Sequence, residues 1–137
     1  MKLLIINGAN LNLLGERESH VYGSVPFDTY LRELKNKYPE VEIDYFQSNI
    51  EGELIDKLQQ SDQQYDGIVI NPGGYSHTSV SIADAIKAMN TAIVEVHISN
   101  LFAREAYRHI SLTGAAAKGV IMGMGLEVYR LGVQSFL

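Results

Sequence analysis

The chain has 137 residues, with 11 Lys or Arg against 16 Asp or Glu and a formal net charge of −5. That length makes one domain, residues 1–137, and excludes a full eightfold β/α barrel, which needs about 250 residues. An acidic chain lacks the basic footprint of phosphate-backbone binding, so no nucleic-acid partner is expected. With no cysteine there is no disulfide, thiolate nucleophile or Cys-ligated metal site. The opening apolar run is too short for a secretory signal, and no later run approaches the roughly 20 residues of a membrane span. The expectation is a soluble, cytoplasmic protein with no membrane partner.

In chain order, apolar, β-branched-rich segments at residues 2–7, 41–47, 67–71, 92–97 and 119–123 predict five strands. Four of them are continuous apolar runs, the pattern of strands buried on both faces of a parallel sheet. The stretch 8–24, after the first strand, is longer than the usual connection of about 2–6 residues. It contains Gly8, Gly15 and Gly23 for flexibility and Arg17 and Tyr22 for chemistry, and its part at about 16–24 reads as a mobile lid. Phe27, Tyr30, Leu31, Leu34 and Tyr38 then recur at helical spacing behind Pro26. Ile50, Leu54, Ile55 and Leu58 mark a second helix, with Ser48-x-x-Glu51 as its capping box. Val80, Ala83, Ile86 and Met89 mark a third, Phe102, Ala103, Ala106 and Tyr107 a fourth, and Leu126, Tyr129, Val133 and Phe136 the last. Strand–helix alternation predicts a flavodoxin-like, doubly wound α/β fold. Its parallel sheet has five strands in the order 2-1-3-4-5, with helices on both faces.

In such a sheet ligands bind beyond the carboxyl ends of the strands. Those ends collect Asn7, Asn10, Gln47, Asn49, Asn71, His77, Glu95, His97 and Ser99, a polar and mostly neutral set. Asn7-Gly8-Ala9-Asn10-Leu11-Asn12 does not match the dinucleotide fingerprint, a P-loop is absent, and Gly123-x-Gly125 reads as a tight turn. Asn71 stands where a phospho-acceptor domain needs Asp. The histidines show no metal-ligand spacing, and no metal is expected. His20 and His109 read as solvent-facing. His77 and His97 follow adjacent strands and fit either backbone-satisfied histidines or recognition of a hydroxylated small molecule. Glu95 and His97, two apart on one strand, share a face, so the carboxylate can fix the imidazole tautomer and support a general acid.

Tyr22 with Arg17 is the second constellation. At pH 7 an ordinary tyrosinate costs roughly 4 kcal/mol, much of which a guanidinium at the phenolic oxygen offsets, making a base. The alternative is a Tyr22 packed under the loop beside a solvated Arg17. Arg104 and Arg108, at i and i+4, read as a solvated helix face, with one of them a substrate-contact candidate through its position after Ser99. Asp84 with Lys87 at i+3 reads as a surface ion pair.

Four motifs carry a family resemblance from Leu3 to about Tyr129. They are Asn7-Gly-Ala-Asn-Leu-Asn-Leu-Leu-Gly-Glu-Arg17 with Tyr22-Gly23; Gln47-Ser-Asn-x-Glu-Gly52 with Leu54-Ile-Asp56; Asn71-Pro-Gly-Gly-Tyr-Ser-His-Thr-Ser79; and Glu95-Val-His-Ile-Ser-Asn100 with Arg104-Glu105. In order and spacing they resemble the type II 3-dehydroquinate dehydratases. The resemblance implies cofactor-free, reversible dehydration of 3-dehydroquinate to 3-dehydroshikimate through an enolate, in the shikimate pathway of aromatic amino-acid biosynthesis. It implies Tyr22 as base, Arg17 keeping it ionised, Asn10 stabilising the enolate, and His97 oriented by Glu95 as acid. Asn71 and the amides of Ile98 and Ser99 would hold the substrate carboxylate. His77 and Arg108 would hold ring hydroxyls, and Asp84 would reach a neighbouring subunit's site. It further implies a homododecamer built from trimers. Ala9, Ser19 and Ala83 depart from the family pattern, which commonly has Pro, Pro and Arg there. A flavodoxin-like nucleotide- or flavin-binding module and a non-catalytic scaffold are the competing readings.

Overall fold

The computed structural model describes residues 1–16 and 19–137, apart from the side chain of Ser19. Its sheet comprises β1 (Lys2–Asn7), β2 (Glu42–Gln47), β3 (Gly67–Asn71), β4 (Ile93–His97) and β5 (Gly119–Met122). All neighbouring pairs are parallel, in the order β2-β1-β3-β4-β5. The five predicted strands and their order are therefore present, with ends shifted by a residue at most. The helices are α1 (Ser19–Tyr22), α2 (Phe27–Lys37), α3 (Glu51–Ser61), α4 (Val80–Ala88) and α5 (Glu127–Gln134).

Side-chain alternation along β1 builds two cores. Leu3 and Ile5 face one layer, with Phe27, Leu31 and Leu34 of α2 and Val128 and Val133 of α5. Leu4 and Ile6 face the other, with Leu54 and Leu58 of α3 and Ile82 and Ile86 of α4. Both faces of the central strands are buried, which explains their continuous apolar runs. Among the described residues no helix is long and apolar enough to cross a membrane.

Three local expectations are corrected. The Ser48-x-x-Glu51 capping box does not form. Ile50 is the N-cap of α3, while the Ser48 hydroxyl accepts from Ile50 N at 3.0 Å and donates to Glu53. Ser48 lies two residues too early, so it makes a local turn instead. Glu51 accepts from Ser79 Oγ at 2.5 Å, and Ser79 caps α4 by accepting from Ile82 N at 2.9 Å.

The predicted fourth helix is two separate 3₁₀ turns, Leu101–Ala103 and Ala106–Arg108, broken by extended backbone at Arg104. Phe102 and Tyr107 are each 65% exposed, while Leu101 is buried. An amphipathic helix needs a core face to bury, and here the chain is drawn along the edge of a cavity instead. Finally, Asp84 and Lys87 are exposed on α4 with no ion pair between them among the described residues.

Candidate active site

Two backbone segments form the floor of the site. Gly8 N donates to Asn71 O at 2.8 Å, and a Cβ on Gly8 would stand 2.3 Å from the Pro72 carbonyl oxygen. Gly73, at φ +65°, is also crowded, and a Cβ there would stand 2.7 Å from Ala9 O. Only glycine lets the ends of β1 and β3 meet this way. Asn10, at φ 68°, adopts the left-handed conformation that Asn tolerates best among residues with a side chain, and its N–H donates to Asn49 Oδ1 at 2.9 Å.

Beyond the strand ends lies a cavity of about 350 Å³. Asn10, Tyr22, Asn71, His77, His97, Ile98, Ser99 and Arg108 all line it, as sequence reasoning expected, and so does Arg104. Glu95 is fully buried behind His97, bonded to His97 Nε2 at 2.7 Å. An ionised carboxylate only accepts, so Nε2–H donates and Nδ1 is the ring nitrogen left for a ligand. Ser111 Oγ donates to Glu95 Oε2 at 2.6 Å, and Thr113 Oγ1 donates to the other carboxylate oxygen. Burial pushes the Glu95 carboxyl up. The His97 hydrogen bond and charge, with those two hydroxyls, outweigh it and hold the group below its ordinary value of 4.5.

His77 Nδ1 lies 2.8 Å from the Ile110 carbonyl oxygen, so it donates there and turns an accepting Nε2 to a ligand. Its ring stacks on His97 with centroids 6.2 Å apart. Arg108 Nε donates to Glu105 at 2.8 Å, with further N–H groups of the guanidinium available at the cavity wall. The Gly123–Gly125 turn, with φ of +89° and +60°, braces this end of β4: its amides donate to His97 O and Ile98 O, each at 3.1 Å. It acts as the tight turn predicted.

Arg104 is the residue that sequence reasoning underrated. Its Nη1 donates to the Tyr22 hydroxyl at 3.0 Å and to Ser99 Oγ at 3.3 Å, and its side chain is 15% exposed. Helical spacing with Arg108 suggested a solvated face; without the helix, Arg104 turns inward. Arg17 and Glu18, and with them part of the proposed lid, lie outside the described residues. Asp84 does not line this chain's own cavity. Among the described residues no group of three or more His, Asp or Glu side chains gathers as a metal site requires.

A cavity at this end of a flavodoxin-like sheet, with a carboxylate-backed imidazole and an arginine-bonded phenol, suits an enzyme that moves protons. Its relatives narrow that class. The chain belongs to the family Dehydroquinase class II, whose model matches residues 1–137. The 3-dehydroquinate dehydratase of Helicobacter hepaticus is 49% identical over 140 residues, covering 100% of this chain and 89% of its own. That of Caldicellulosiruptor bescii is 50% identical over 135 residues, covering 96% and 93%. The crystal structure of the type II dehydroquinase from Butyrivibrio crossotus superposes with a TM-score of 0.93 at 44% identity, covering 99% of this chain and 97% of that one.

Proposed function

We propose that the cavity carries out the dehydration of 3-dehydroquinate through an enolate. The activity itself is the family's: this chain is a lyase of the shikimate pathway. In the proposed route the Tyr22 oxygen, as phenolate, removes the C2 proton beside the ketone, and the electron pair moves onto the carbonyl oxygen. Asn10 stabilises that enolate. The enolate then collapses, the C1–O bond breaks, and the hydroxyl leaves as water with a proton from His97, giving the conjugated enone. Asn71 with the Ile98 and Ser99 amides holds the substrate carboxylate, and His77 and Arg108 hold ring hydroxyls. No cofactor takes part in this route.

The observation that carries the reading is the presence of two proton-handling groups in the lining of one cavity. The Tyr22 hydroxyl is bonded by Arg104, and His97 is bonded by a buried carboxylate. Arg104 supplies a cation at the phenolic oxygen from the described side of the site, and Arg17 is proposed to supply a second from the lid at about 16–24. The accepting Nε2 of His77 suits a donating hydroxyl.

The same reading makes residues 1–137 one catalytic domain that assembles in the cytoplasm as trimers within a dodecamer, Asp84 reaching a neighbour's site. Exposed Phe102, Tyr107 and Ile110 support an assembly, because large apolar side chains left on a surface gain from burial between copies. Purified protein incubated with 3-dehydroquinate should show rising ultraviolet absorbance of the enone, insensitive to borohydride. A folded protein giving no rise would overturn the reading.

A further inference from the structure

Behind Asn71 lies a chain of hydrogen bonds through Tyr129, Asn7 and Tyr45, to which the proposed route gives no role. Tyr129, on α5, is fully buried, and its hydroxyl donates to Asn7 Oδ1 at 2.7 Å. Asn7 is itself fixed, because its Nδ2 donates to Tyr45 OH at 3.2 Å, which leaves Oδ1 facing Tyr129. With its single proton committed to Asn7, the Tyr129 oxygen can only accept from Asn71, and Asn71 Nδ2 lies 3.0 Å away. At the other end of the same amide, Asn71 Oδ1 accepts from Gly73 N at 3.1 Å. Both ends of the Asn71 side chain are thus assigned from below. The second N–H of Nδ2 is the group this wall residue has left for a ligand.

We propose that Tyr129 is a positioning residue: through its one-way hydrogen bond it fixes the Asn71 amide with a donor toward the cavity, and so sets the preference for a carboxylate over an uncharged carboxamide. The inference rests on the reading that Asn71 meets the substrate's carboxylate. Its physical basis is that a hydroxyl has one proton to give, so the partner that takes the proton decides which end of an amide can sit opposite. Desolvation in a fully buried position makes the wrong arrangement costly. Tyr129 acts through Asn71 and touches no reacting atom.

The test compares binding of quinate and its carboxamide by calorimetry, in the wild type and in Tyr129→Phe, with circular dichroism and thermal melts as the check on folding. Phe keeps the ring and removes only the oxygen. The expected result is a loss of about tenfold in quinate affinity with carboxamide affinity little changed, so the acid-to-amide ratio shrinks. With 3-dehydroquinate, KM should rise while kcat is largely kept. A merely structural role would weaken both ligands alike and leave the ratio where it was, and that result overturns the proposal. Asn7→Leu supplies an independent arm, because it keeps the Tyr129 hydroxyl but frees its proton to turn toward Asn71. It too should shrink the ratio, and an unchanged ratio there also counts against the proposal. Absence of 3-dehydroquinate turnover in the wild type would strike the functional reading, whereas an unshifted acid-to-amide ratio strikes this one.

Discussion

A single atom carries the proposed chemistry at Tyr22, whose phenolic oxygen is bonded by Arg104 at 3.0 Å. Tyr22→Phe deletes that oxygen and leaves the ring. Steady-state assays should show turnover reduced by about 10²-fold or more, with ligand binding by calorimetry within a few-fold of wild type. Arg104→Met should lower kcat by about 10²-fold with the circular dichroism spectrum unchanged, because it removes a cation from the proposed base without removing the phenol itself. Near-normal rates in either variant would exclude the corresponding role. Glu95 makes a separate prediction about stability. Its folded carboxyl titrates below the ordinary 4.5, so the ionised group stabilises the fold above that value, and the contribution is lost as pH falls through the lower folded value. Melting temperatures measured from pH 6 downward should therefore fall more steeply for the wild type than for Glu95→Gln, and parallel curves would refute the assignment.

Elements meet the site through backbone more than through side chains. The β1 and β3 ends approach so closely that Gly8 has no room for a Cβ beside Pro72. Gly8→Ala must push two main chains apart, and should cost about 3 kcal/mol, a melting temperature lower by about 10 °C, together with most activity. A stable, active Gly8→Ala would show that the floor of the site yields more easily than its geometry implies. The elements also mark where pattern reading worked. Continuous apolar runs and helical spacing located five strands and the helices α2 to α5, because each buries a face against the sheet. They failed at 101–108, where Phe102, Ala103, Ala106 and Tyr107 keep helical spacing but the chain turns twice along the cavity edge. Spacing alone does not say whether a core face exists to receive the apolar stripe.

At the scale of the whole molecule, the apolar side chains left on the surface have a consequence. Ile110 is 70% exposed and Phe102 and Tyr107 65% each, and Tyr107 is among the residues lining the cavity. Burial of these side chains between copies is the expectation, and light scattering should give a mass that is a multiple of the trimer of a 15.2 kDa chain. Ile110→Glu places a charge in that contact and should yield smaller species with reduced activity. A monomeric wild type with full activity would remove assembly, and Asp84's proposed reach to a neighbour, from the picture.

The amino-acid pattern was enough for the fold class, the strand order and much of the lining of the cavity. Period and composition report which faces are buried, and turn residues with short motifs report where the strand ends lie. Asn10, Asn71, His77, His97 and Ser99 were legible in the cavity lining because each sits at or just beyond a strand end, where this fold gathers ligand contacts, whereas Tyr22 stood out in the long loop after β1 and Arg108 was placed in the lining only by the family resemblance. Tertiary structure alone decided which partner each of them meets. Arg104 reaches Tyr22 across a separation of 82 residues, Tyr129 reaches Asn7 across 122, and Ser111 and Thr113 close on Glu95 from a segment with no regular period. A hydrogen bond depends on distance and direction between two atoms, and neither is written in the spacing of residues along one strand of chain.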